Sequence, residues 1–141
     1  MINFKTFFEQ KLSEEDKNIK ETLKRLPKSH RALIEGYKFH LQDGNTLKDD
    51  DEHVGFLDDD KKTIGIAGPW NYGREFTFLH EIAHKVWENI LDANLRNAWK
   101  KIEASEPEEH FCMAYANFYT KNPIVKYDKP TWKKFIKELP S

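Results

Sequence analysis

Twelve residues constrain the fold of this chain more than any others: Phe76-Thr77-Phe78-Leu79-His80-Glu81-Ile82-Ala83-His84-Lys85-Val86-Trp87. They contain His-Glu-x-x-His, in which two histidines one helical turn apart bind zinc and the intervening glutamate acts on a zinc-held water. At about 100° per residue, positions i and i+4 lie about 40° apart, so His80 and His84 reach one metal from one helix face. Glu81 sits about 100° round from His80, too far off that seam to ligate but placed to meet the water. The other faces must serve a core. Leu79, Ala83, Val86 and Ile90 form an apolar stripe, while Lys85, Glu88 and Asn89 face water. The pattern predicts a helix over 74–92, ended by Asp92-Ala93-Asn94.

A catalytic zinc takes three protein ligands plus a water. The extended motif that adds a glycine at 87 and a histidine at 90 is excluded, because Trp87 and Ile90 stand there. The remaining common arrangement takes a glutamate from a later helix. The segment 105–119 is such a helix: Ser105 and Glu108 have capping-box spacing, and Pro107 falls in the first turn. With Glu108 spent on the cap, Glu109 is the free carboxylate, on the face it shares with Cys112, Met113 and Ala116. A carboxylate in apolar surroundings is costly unless it meets a cation, which makes Glu109 the candidate third ligand. The alternative is a first-turn acid favoured by the helix dipole. Cys112 lies near the same face and is read as a buried apolar side chain.

The rest of the chain surrounds these two helices. Residues 3–12 and 14–26 read as helical, the second with Ser13 as cap and Ile19, Leu23 and Leu26 at helical spacing. After Pro27, Ser29 caps a short helix from His30 to about Gly36. Residues 37–42 alternate as a half-buried strand, and 43–45 turn. The acidic run 49–52 lacks a calcium loop's alternating ligands and reads as a solvated loop. Residues 54–57 and 63–67 flank a charged connection as a hairpin. A helix over 95–104 and a C-terminal helix complete the chain. In the latter, Trp132, Phe135, Ile136 and Leu139 pack beneath a lysine face. His30, His40 and His53 have no ligand spacing and read as surface residues. The fold class is α+β, with N-terminal helices, a small three-stranded sheet and two site helices.

The 141 residues suit a single domain, with 1–26 as a helical lead-in and 121–141 as a helical tail. A net charge of −1 gives no reason to expect a nucleic-acid or membrane partner. A single cysteine precludes an internal disulfide and fits a reducing compartment. With no signal peptide and no apolar run long enough to span a bilayer, the expectation is a cytoplasmic protein.

His80-Glu81-Ile82-Ala83-His84, followed by Glu109-His110-Phe111-Cys112-Met113-Ala114-Tyr115, resembles the gluzincin class of zinc metallopeptidases. The likeness is greatest to the catalytic domain shared by anthrax lethal factor and the Pro-Pro endopeptidases; minimal soluble gluzincins are a second comparison. It extends in order of elements over roughly 22–139. The resemblance implies a zincin-like fold, Zn2+ on His80, His84 and Glu109, and Glu81 as general base of a metalloendopeptidase. It also implies that an extended peptide substrate lies along residues 63–68 as an edge strand. Two departures stand out. No tyrosine occurs in 93–108 to stabilise an oxyanion, and Met113 replaces an acid four residues after the ligand glutamate. Tyr72, Tyr115, Tyr119 and His110 are the candidate donors, each read first as core or surface. The competing expectation is an inactive zincin-fold structural or interaction domain that keeps its zinc.

Overall fold

The computed structural model describes residues 17–43, 55–68 and 72–141. The expected helix over 3–12 and the acidic run at 49–52 lie outside the described residues, as does His53. Helix α1 covers 17–24, followed by α2 (Lys28–Ala32), β1 (Lys38–Asp43), β2 (Gly55–Asp58) and β3 (Thr63–Gly68). The chain continues with α3 (Tyr72–Asn89), α4 (Ala93–Ile102), α5 (Pro107–Tyr119), a 3-10 turn (Val125–Tyr127) and α6 (Pro130–Lys137). The mixed α+β class holds. Among the described residues, no helix is long and apolar enough to cross a membrane.

The strands form one sheet of order β1-β3-β2, with β1 parallel and β2 antiparallel to β3. β2 and β3 make the expected hairpin, its connection tightened by Lys62 in the left-handed conformation (φ 46°) and by Asp58 accepting from the Lys61 N–H at 3.1 Å. The topology corrects one expectation. Residues 63–68 are the central strand, hydrogen-bonded on both sides, and not an edge; β1 and β2 hold the edges. Ile64, Gly65 and Ile66 are all buried, so both faces of this strand are covered, as suits a central strand.

Helix α3 crosses the sheet with a wider apolar face than its stripe suggested. Phe78, Leu79, Ile82, Ala83 and Val86 are all fully buried, because α3 packs on the sheet and on α5 together. Lys85 is not free in water: its ammonium pairs with Asp59 at 3.1 Å, and Asp59 also accepts from the Tyr37 hydroxyl at 2.5 Å. The hairpin tip is thereby tied to α3 and to the start of β1. Asp92 caps the next helix, accepting from the Leu95 N–H at 2.8 Å.

α3 and α5 run antiparallel. Glu75 in the first turn of α3 meets Thr120 and Lys121 beyond the end of α5, whereas His84 meets Glu109 at the start of α5. Around them, Trp99, Phe111, Trp132 and Phe135 make a ring cluster joining α4, α5 and α6. The tail is part of this core, since Trp132, Ile136 and Leu139 are buried.

His30 is not a surface residue. It is completely buried, with Nδ1 2.8 Å from the Tyr115 hydroxyl and Nε2 2.7 Å from the Pro140 carbonyl oxygen. The carbonyl only accepts, so Nε2 carries the proton and Nδ1 accepts from Tyr115. Burial lowers the pKa of this imidazole, against the opposing pull of the Pro140 carbonyl. Ser29 does not cap α2 either; Pro27 holds that position with no side-chain cap, and Gly36 (φ 83°) turns the chain toward β1.

Candidate metal centre

The two histidines stand on a partly buried flank of α3, one turn apart, with ring centroids 5.1 Å apart and planes nearly perpendicular. The opposite wall is the first turn of α5. Glu109 reaches both rings: one carboxylate oxygen is 3.2 Å from His80 Nε2 and the other 3.4 Å from His84 Nε2. Tetrahedral zinc with bonds near 2.05 Å sets its N and O ligands about 3.3 Å apart, a spacing these separations fit. Side-chain exposure is 19% for His80, 27% for His84 and 47% for Glu109, which leaves the carboxylate side open to solvent. Burial lowers the His80 pKa, with Glu109 pulling the other way and His84 adding to the lowering. A neutral imidazole is the form that ligates.

The start of α5 differs from its sequence reading. Glu106, in the left-handed conformation (φ 41°), is the N-cap and makes no side-chain cap, with Pro107 at N1. The Ser105–Glu108 capping box is absent, and Ser105 instead offers its carbonyl to His110 Nδ1 at 2.6 Å. Pro107 accounts for this, because it places the first helical turn after Glu106 and not after Ser105. Glu108, released from the cap, lies 3.8 Å from His84 Nδ1, on the side of the ring turned away from Glu109. Glu109 therefore faces the histidines, though not because Glu108 was spent elsewhere.

No family model, curated protein or solved structure matches this chain. The chemistry of the site rests on its own geometry.

Glu81 stands on α3 between the seam and the sheet, beside β2. A Cβ built on Gly55 would lie 3.7 Å from Glu81 Cγ, 3.2 Å from the Gly65 carbonyl and only 2.7 Å from the Thr77 methyl. Glycine is what lets β2 pass this close to the face carrying Thr77 and Glu81. β2 is therefore the sheet edge nearest the candidate centre, and no described residue pairs with its outer side.

The candidate oxyanion donors are mostly committed elsewhere. Tyr115 is buried against His30, Tyr119 packs on Tyr115 and Phe118, and His110 is held by Ser105 and lies against Trp132. Tyr72 begins α3, and its side chain lies outside the described residues.

Sequence reasoning understated Cys112. Its sulfur and a ring nitrogen from each of His80 and His84 all lie within 4.8 Å of one another. The signal was present in the spacing: Cys112 is three residues after Glu109, hence on the same side of α5. Burial pushes its thiol pKa far up, and the carboxylates of Glu109, Glu108, Glu81 and Glu88 add to the effect.

Proposed function

We propose that this chain is a zinc-dependent endopeptidase of gluzincin type on a zincin-like fold, with His80, His84 and Glu109 holding Zn2+ and Glu81 as general base. The observation that carries the reading is the Glu109 carboxylate spanning the two Nε2 atoms at 3.2 and 3.4 Å. Bound zinc supplies Lewis acidity toward a water and a peptide carbonyl. His80 and His84 are aimed by one helix face, so little reorganisation is needed. Glu81 takes the proton of the water that attacks the peptide carbon, and returns it to the amine as the C–N bond breaks. The outer edge of β2 beside Glu81 offers backbone N–H and C=O groups to an extended peptide, the role first expected of residues 63–68.

The test is metal content together with hydrolysis of a diverse peptide mixture, with and without chelator. Glu81→Ala is expected to bind one zinc per chain and lose essentially all hydrolysis. Glu109→Ala and His84→Ala are expected to lose the metal on dialysis. Retained turnover in Glu81→Ala would refute the mechanism.

A second reading is favoured by a specific observation: a buried thiol beside two imidazoles makes a closed ligand set available. Under it, the chain is a zinc-holding structural or interaction domain without turnover.

A further inference from the structure

We propose that Cys112 ligates the metal through Sγ from the buried side of the site, giving a shell of two histidines, Glu109 and a thiolate. The proposal rests on the metal reading above and goes beyond it in assigning a fourth protein ligand. Three observations converge. The sulfur and the two imidazole nitrogens lie within 4.8 Å of one another, although two separate helices supply them. Glu109 and Cys112 are three residues apart on α5, so both side chains project toward the same point between α5 and α3. Finally, the two differ in burial, which puts the carboxylate toward solvent and the thiol toward the core. Glu109 is 47% exposed, whereas Cys112 is completely buried, so neither displaces the other.

In a zinc shell with Zn–S near 2.3 Å and Zn–N near 2.05 Å, sulfur and nitrogen stand about 3.5 Å apart. The sulfur–nitrogen separations therefore need to close by at most about 1.3 Å on metal binding, a movement shared between the thiol and the imidazoles. On ligation the thiol gives up its proton, which leaves to solvent through the open carboxylate side. Thiolate also sets the choice of ion. Magnesium, calcium and manganese prefer all-oxygen shells, whereas zinc, cobalt and cadmium accept sulfur with imidazole. Four protein ligands make a closed shell of the structural type, while three leave a place for water. Ligation by Cys112 beside Glu109 would therefore leave no place for the attacking water and would favour the second reading, the zinc-holding domain without turnover, over the peptidase reading.

The experiment is cobalt substitution of the full chain, read by absorption, alongside zinc affinity by chelator competition for wild type, Cys112→Ala and Cys112→Ser. The wild type is expected to show the near-ultraviolet sulfur-to-cobalt charge-transfer band, and both variants are expected to lack it. Zinc affinity in Cys112→Ala should fall by more than the roughly 10–100-fold lost with an outer-shell partner. The wild-type spectrum decides even where a variant folds poorly. Cobalt bound without the band, with Cys112→Ala retaining wild-type zinc affinity, overturns the proposal and leaves the peptidase reading standing if peptides are cleaved. The band without hydrolysis supports the proposal and sinks the peptidase reading. No metal uptake at all overturns both.

Discussion

Removing the Glu75 carboxylate is expected to be the most damaging single change to the frame that holds the site. The carboxylate is buried in the first turn of α3 and accepts from Thr22 Oγ1 at 3.1 Å, Thr120 Oγ1 at 3.0 Å and the Lys121 N–H at 2.6 Å. Arg25 pairs with it at 2.8 Å. In Glu75→Ala, two of these partners have a substitute acceptor: Thr22 also reaches the Asn18 carbonyl at 3.0 Å, and Arg25 Nε holds the Tyr119 carbonyl at 2.9 Å. The Thr120 hydroxyl is stranded, and the Lys121 N–H loses a bond to a charged acceptor, at about 1–3 kcal/mol each. The sum, centred on about 4 kcal/mol, agrees with the roughly 3–5 kcal/mol lost when one partner of a buried ion pair is removed. For 141 residues the unfolding entropy is about 300 cal/mol/K, so Tm should fall by about 10–17 °C. Urea unfolding followed by tryptophan fluorescence is the assay, with the midpoint falling at unchanged m. The carboxyl also carries a pH signature. Burial raises its pKa, but the Lys121 N–H, Thr120 and Arg25 together outweigh burial and hold it below the ordinary value. Its contribution is therefore complete above the ordinary carboxyl range and is lost as pH falls through the lowered native value. A Glu75→Ala protein within about 1 kcal/mol of wild type, far below the stranded-partner cost, would refute this account.

Two further outcomes follow from the same frame. His30 has a native pKa below the usual imidazole value, so its contribution is complete above about pH 6.5 and is lost as pH falls through the lower native value. His30→Leu should lower stability at neutral pH and flatten the wild-type decline between pH 7 and the acid side, measured by denaturant midpoints across pH. Gly55→Ala should cost about 1–3 kcal/mol by overpacking, because the new methyl meets the Thr77 methyl and the Gly65 carbonyl. It should also reduce peptide kcat/KM by moving β2 off Glu81; unchanged stability in chemical denaturation would show slack between β2 and α3.

Much of this protein is determined locally and so was legible in the sequence. The helical period put His80 and His84 on one face and Glu81 off it. Alternation marked β1, and the apolar runs around a charged turn marked the hairpin. These features depend on residues within one or two turns of each other. Partnership across the chain is different. Strand order placed 63–68 in the centre of the sheet, where burial of Ile64 and Ile66 on one face and of Gly65 on the other depends on segments elsewhere in the chain. Pro107 and the left-handed Glu106 moved the cap of α5 from Ser105 to Glu106, which freed Glu108 and left Glu109 opposite both imidazoles. His30 went inside because Tyr115, 85 residues away, and Pro140, 110 residues away, satisfy its two nitrogens. The sequence by itself determined the helix that presents two imidazoles to one point. Only the antiparallel packing of α3 on α5 decided what else meets them there, because a side chain's partner across two helices is set by their register and not by spacing along either one.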